Sequence, residues 1–182
     1  MPRFVPASLA LLLGLALAGC GGSAKPDSAT VLASNDYDEL LGWVPQEAVP
    51  YLSREKAHSG QYSAHVGPDM EYAGGYYNAL NKLSPVRISK LRLRAWIFLS
   101  NKDAKGNLVT EVLDPATGKQ QFYESIDVVS AASGRFNEWT ELDRTLTLPA
   151  TITANSIIKT YLWRGPGNQP VYLDDFSLEK AE

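Results

Sequence analysis

The 182-residue chain has one cysteine, two methionines and two histidines. A lone cysteine cannot close an intramolecular disulfide, so the fold must rest on a hydrophobic core. His58 and His65 stand without a His-x-x-x-His or Gly-x-Ser-x-Gly pattern, and each reads as a surface residue rather than a catalytic base. The carboxylate pairs Asp36/Asp38 and Asp174/Asp175 have the composition of a glycosidase dyad, but nothing else in the sequence supports catalysis, and the chain is expected not to be an enzyme. Basic residues are in the minority, 17 Lys and Arg against 20 Asp and Glu, for a net charge of −3. This excludes nucleic acid as a partner, because phosphate-binding proteins carry clustered positive charge. Long apolar runs are lacking too. Residues 9–18 are apolar except for Gly14, which falls short of the roughly 20 residues that span a bilayer. No stretch shows a sustained helical stripe, and neither an internal repeat nor a second domain is visible.

The apolar run follows Arg3 and has the make-up of a signal-peptide core, so residues 1–19 are read as a cleaved address. It ends in Leu17-Ala18-Gly19-Cys20, which resembles the bacterial lipobox. The resemblance implies cleavage before Cys20, acylation of its thiol, and a protein lipid-anchored to a membrane of the bacterial cell envelope, on the periplasmic face or at the cell surface. Residues 20–30, with Gly, Ser, Ala, Lys, Pro and Asp and no large apolar side chain, read as a flexible tether. Residues 31–182 suit one domain with a proper core.

That domain reads as all-β. Tyr62, Ala64 and Val66 alternate with Gln61, Ser63 and His65. Leu91, Leu93, Ala95, Ile97 and Leu99 alternate with Arg92, Arg94, Trp96 and Phe98. Period-two patterns of this kind mark strands with one face in a core. Further strands are expected near 31–37, 48–54, 75–82, 107–113, 120–129, 138–148 and 156–164, and one short helical turn within 40–49, limited by Pro45. Ser59-Gly60, Gly74-Gly75, Lys105-Gly106-Asn107, Ser133-Gly134 and Gly165-Pro166-Gly167 lie between them as turns. Nine or ten short strands of this spacing point to a two-sheet antiparallel sandwich or jelly roll.

The last strand carries a phase slip. Val171 and Leu173 are two apart, as are Phe176 and Leu178, but the second pair is one residue out of step with the first. A β-bulge at Asp174-Asp175 absorbs the slip and re-aims one carboxylate.

A terminal strand with a bulged Asp pair resembles the last strand of jelly-roll carbohydrate-binding modules of the galactose-binding-like superfamily. Asn35-Asp36-Tyr37-Asp38 with Gly42-Trp43 is similar to that family's opening, and Ala57-His58-Ser59-Gly60-Gln61-Tyr62-Ser63 to its hairpin. Leu83-Ser84-Pro85 leading into Trp96, then Asn137-Glu138-Trp139 with Leu148-Pro149, complete the order. The resemblance implies a structural calcium ion held by Asp38 and Asp175 with backbone oxygens near Ser59-Gly60, a suitable hard-oxygen set. The same acids could instead solvate a sheet edge and deter edge pairing.

The resemblance also implies a polysaccharide or other glycan as ligand. Sugar receptors place aromatic platforms beside planar hydrogen-bonding groups. Arg92, Arg94 and Trp96 share one strand face and could hold a hydroxyl-rich or acidic sugar. Tyr72, Tyr76, Tyr77, Tyr123 and Trp163 are further candidates, although the family packs aromatics at the positions of Trp96 and Trp139. Alternation sends one of Tyr76 and Tyr77 inward and the other outward, without saying which. The alternative is an envelope scaffolding module of the same fold that binds a protein partner through its aromatic face and no sugar.

Overall fold

The computed structural model describes residue 1, residues 31–40 and residues 44–181. The expected signal peptide, Cys20, the tether and the Gly42-Trp43 pair lie outside the described residues. Among the described residues ten strands form the domain: β1 Val31–Asn35, β2 Leu52–Ser53, β3 Ser63–Val66, β4 Tyr72–Ala79, β5 Lys90–Leu99, β6 Asn107–Leu113, β7 Gln120–Asp127, β8 Trp139–Thr147, β9 Ile157–Trp163 and β10 Val171–Lys180. They pair antiparallel into two sheets. One is six-stranded, in the order β2-β3-β10-β5-β8 with β1 also on β10, and the other is four-stranded, in the order β4-β9-β6-β7. This is the expected jelly-roll sandwich.

The core lies between the sheets. Leu91, Leu93, Ala95, Ile97 and Leu99 of β5 are all buried, as the alternation requires, and meet Leu108, Val112, Ile158 and Leu162 from the four-stranded sheet. Three threonines also point inward. Thr110 and Thr160 face each other at 3.3 Å between their hydroxyls, whereas the Thr140 hydroxyl is buried without a hydrogen-bond partner. A buried donor that makes no bond costs its full desolvation. Thr140→Val is therefore expected to stabilise the domain by about 1 kcal/mol, read as a higher urea midpoint; an unchanged or lower midpoint contradicts this.

Several boundaries differ from the sequence expectation, and β1 ends at Asn35 rather than near 37. Residues 80–82 are not strand but part of a helical turn, α1 Leu80–Leu83, whose Leu80 is buried. Residues 128–129 belong to a second turn, α2 Val128–Ala131, because the Asp127 carboxylate caps it by accepting from the Ser130 N–H at 2.7 Å. The strand expected over 48–54 is only two residues long, preceded by a 3₁₀ turn at Gln46–Ala48. β4 begins before the Gly74-Gly75 pair, which is a bulge inside the strand. Gly74 has φ +64°, and a Cβ there would lie 2.8 Å from the buried Tyr37 hydroxyl, so only glycine suits the position.

The β10 bulge is present where the phase slip requires it. Asp174 pairs with Trp96 and Ser177 with Arg94, so three steps on β10 match two on β5, and Asp175 takes φ +45°. The bulge also divides the opposite edge of β10. Residues 171–173 pair with β3 and residues 176–179 with β1. Through the gap the loop at 56–61 reaches the strand: the fully buried Asp174 carboxylate accepts from the N–H groups of His58 (2.7 Å), Ser59 (3.2 Å) and Asp175 (2.7 Å).

Candidate functional site

The outer face of the four-stranded sheet is built by alternation and register. On β9, Ile158, Thr160 and Leu162 are buried, which turns Lys159, Tyr161 and Trp163 outward. The bulge in β4 puts Tyr72 and Tyr77 on this outer face, 52% and 61% exposed, and Tyr123 of β7 is 46% exposed. Cross-strand pairing arranges these residues in rows. Tyr77, Lys159, Glu111 and Tyr123 form one row, Tyr72, Trp163, Asn107 and Asp127 another, and Tyr161, Val109 and Ser125 lie between. Each four-residue row crosses the sheet over roughly 14 Å, three strand spacings.

The rows touch one another in ways that hold the rings. Tyr72 and Tyr161 meet edge to face with centroids 5.8 Å apart. Lys159 Nζ lies 5.7 Å from the Tyr77 ring centroid and 3.7 Å from the Glu111 carboxylate. The Trp163 indole N–H donates to Glu71 at 3.4 Å. Val109 faces the same way yet is fully buried, an apolar floor beneath polar-tipped rings. Burial, and then the nearby Glu111, raise the Tyr161 hydroxyl above its ordinary pKa, so it is a neutral donor and acceptor. Lys159 and Glu111 balance each other. The result is a long, open strip of aromatic faces with hydrogen-bonding fringes, which carries the Lys159–Glu111 pair in one row and the Asp127 carboxylate at the end of the other.

Of the residues singled out from sequence, Tyr72, Tyr77, Tyr123 and Trp163 come together here. Tyr76 does not: it turns toward the core opposite buried Thr160 and packs against the core cluster, which corrects its assignment as a ligand residue. Tyr161, Lys159 and Glu111 were missed. The signal for the first two was present, since Lys159, Tyr161 and Trp163 share one parity in β9.

Arg92, Arg94 and Trp96 lie on the other sheet. Both guanidiniums are engaged: Arg92 forms a bidentate pair with Asp143, Arg94 pairs with Glu141, and Glu179 approaches them at 3.9 and 3.7 Å. The Arg92 hydrogen bond holds the Asp143 carboxyl below the usual carboxylate range. Trp96 carries the His58 ring stacked at 3.9 Å, and His58 also meets Trp139 edge-on. Lys56 sits over Phe98, and the Tyr172 hydroxyl bonds Glu55 at 2.5 Å. Residues 55–58 therefore cover much of this face, and His58 is a structural partner here rather than a free surface residue.

The expected calcium ligands border that loop. Asp38 accepts from the Gln61 N–H at 2.8 Å through Oδ1, while Oδ2 is buried with no hydrogen-bond partner. The carboxylate lies so close to Gly60 that a Cβ there would be 1.6 Å from Oδ2. An orphaned buried carboxylate oxygen fits a hard cation. Asp175 has its oxygens committed to His58 Nδ1 at 2.5 Å and the Ser59 hydroxyl at 2.7 Å, and would have to release one of them. Among the described residues no group of three or more His, Cys, Asp or Glu side chains gathers around a common point.

No family model matches the chain, and no curated protein does. Solved structures do. The C-terminal family 22 carbohydrate-binding module of Clostridium thermocellum Xyn10B is 17% identical, covers 86% of this chain and 97% of its own, and gives a TM-score of 0.56. A xylan-binding domain of family 22 is 15% identical over 85% of this chain and 97% of its own, at 0.54. The tandem family 22 modules of Paenibacillus barcinonensis Xyn10C give 0.57 at 14% identity, covering 84% of this chain and 50% of the tandem. The domain thus has the β-sandwich fold of carbohydrate-binding modules. At these identities the likeness is one of fold.

Proposed function

We propose that this chain is a non-catalytic carbohydrate-binding protein, lipid-anchored through Cys20 in the bacterial cell envelope, that retains a polysaccharide near the membrane. The observation that carries the reading is the aromatic strip on the four-stranded sheet. Its rings offer flat apolar faces to the CH faces of sugars, and Glu111, Lys159 and the tyrosine hydroxyls offer partners for their hydroxyls. An open strip suits an extended chain rather than one buried unit. The sheet fold shared with xylan-binding domains makes xylan the first polymer to test.

The test is affinity electrophoresis of the full-length chain in gels containing neutral and uronic-acid polysaccharides. Retardation by at least one neutral polymer is expected. Unretarded migration in every gel would overturn the reading in favour of a protein-binding scaffold. Anchoring is tested separately: Cys20→Ser is expected to move the protein from the membrane fraction to the supernatant of the cell that makes it, and retention in the membrane would refute acylation.

A calcium ion bound at Asp38 belongs to the same proposal, supported by its unpartnered Oδ2. Calcium is expected to raise Tm by a few degrees over EDTA-treated protein, and Asp38→Asn to abolish the difference. Equal Tm in both conditions would remove the ion from the account.

A further inference from the structure

The two ends of the sandwich differ in charge. At one end lie Val31, the first residue of β1, the segment 80–89 between β4 and β5, the hairpin at 114–119, the loop at 148–156 and the close of β10. Hydrogen bonds knit these segments together. The Asn81 N–H donates to the Ala154 carbonyl at 2.7 Å, the Leu148 N–H to the Ser89 carbonyl at 2.8 Å, and the Ser156 hydroxyl to Gln121 at 2.7 Å. Lys82, Arg87, Lys119 and Lys180 are exposed on this end, and none of them forms an ion pair with a described acid. The Arg87 guanidinium donates to the Pro149 carbonyl at 3.1 Å, which orients it and leaves its charge unbalanced. Beside it Val86 is 55% exposed, one of few large apolar side chains so placed.

Acids do not offset this charge. Asp114 is held within its own turn, accepting from the N–H groups of Ala116 and Thr117, both at 2.9 Å. Glu179, one step inside the end, is buried and faces Arg92 and Arg94. The opposite end mixes its signs: Lys102 adjoins Asp103, Arg135 approaches Glu138 at 4.0 Å, and Asp69 and Glu71 share the loops with the remaining cations. A chain of net charge −3 therefore carries a positive surplus at one end. Composition hides it, because the cations come from three connections and the last strand.

The basic end is also where the described domain begins. Cys20 lies eleven positions before Val31, and eleven residues reach at most about 40 Å. The far end of the sandwich lies a further ten-residue strand away, roughly 33 Å. A bilayer that holds an acyl chain on Cys20 meets the basic end first.

We propose that this end is a docking surface for an anionic phospholipid bilayer, with Lys82, Arg87, Lys119 and Lys180 on the phosphates and Val86 in the headgroup region. A basic residue at an anionic membrane surface strengthens binding about fivefold, and an apolar tip adds buried area. Where the bilayer stands rests on the lipid anchor proposed at Cys20; the affinity for anionic lipid does not. Docked in this way, the strands rise from the membrane. The rows of the aromatic strip, which cross the strands, then run along it.

The test cosediments the full-length Cys20→Ser chain, which cannot be acylated, with vesicles of phosphatidylglycerol and phosphatidylcholine in equal parts, or of phosphatidylcholine alone. Binding is expected to be at least tenfold tighter to the anionic vesicles, and the preference to vanish at high salt. It is also expected to vanish in Lys82→Glu/Arg87→Glu/Lys119→Glu and to persist in Lys102→Glu/Lys105→Glu/Arg135→Glu, the same change of charge at the opposite end. Residues 1–19 are common to every chain compared. Should the first variant lose its fold, judged by Tm, Lys82→Gln/Arg87→Gln/Lys119→Gln replaces it, with a tenfold loss expected. Equal binding to both kinds of vesicle, a preference kept in the first variant, or an equal loss in both variants would overturn the docking surface. So would retardation in uronic-acid gels that the first variant abolishes while vesicles go unbound, which assigns the end to an acidic glycan. Failure of the anchor is read separately, in the fractionation of Cys20→Ser, and leaves these outcomes unchanged.

Discussion

Replacing Tyr77, Tyr123 and Tyr161 together by alanine is expected to abolish polysaccharide retention, a loss of at least a hundredfold in affinity. Each stacked ring is worth on the order of 1 kcal/mol or more, and the three sit on one face that the register assembles from β4, β7 and β9. Tyr77 and Tyr123 stand at opposite ends of one row, and Tyr161 lies between the rows, so removing all three leaves no continuous platform. The fold should tolerate the change. Tyr77 and Tyr123 are exposed, and none of the three belongs to the core cluster. The check is electrophoretic retardation alongside thermal unfolding. Retention with unchanged Tm would show that the chain binds its glycan elsewhere; loss accompanied by a collapsed Tm would show the tyrosines to be structural.

The second large effect lies at Asp174. Asp174→Ala is expected to cost about 3–4 kcal/mol, because three backbone N–H groups lose a charged acceptor and the loop at 56–61 loses its tie to the bulge. Against a total stability of roughly 5–15 kcal/mol this is severe. The loss should appear as a large fall in urea midpoint, and a midpoint within the range of surface substitutions would contradict it.

The same carboxyl makes stability depend on pH. Burial raises its pKa to about 6, although the amides of His58, Asp175 and Ser59 pull it down. The folded state therefore holds the proton more tightly than the unfolded chain. The contribution is fully present below the ordinary carboxyl value of 3.8 and is lost as pH rises through about 6. Asp174→Asn does not titrate. The stability difference, wild type minus variant, is expected to shrink between pH 4 and pH 6 and to be level above it. A difference that stays constant over that range would refute the raised value.

Much of the sandwich was legible because strands leave a period-two trace. β5 and β6 occupy the predicted stretches, and the phase slip between Leu173 and Phe176 located the bulge from apolar spacing alone. Short turns were less legible. α1 and α2 are four residues each, too short for a 3.6-residue stripe to show, and α2 depends on a single cap at Asp127. Tyr76 and Tyr77 could not be told apart, because the Gly74-Gly75 bulge shifts the parity of everything after it and a glycine pair does not announce the extra residue.

By itself the sequence determined the strands, their buried faces, the bulged Asp pair and the lack of a disulfide or a net basic charge, all properties of local spacing and composition. Only the tertiary structure decided which outer face is open. Alternation assigns two faces to every strand, yet it is silent about what covers the second. On the six-stranded sheet the loop at 55–58 lays Lys56 and His58 over Phe98 and Trp96, and carboxylates from β8 and β10 occupy the arginines. On the four-stranded sheet Tyr72, Tyr77 and Tyr123 stay exposed. The difference arises from contacts between residues far apart in sequence, such as those of His58 with Asp174 and Asp175, which no local pattern encodes.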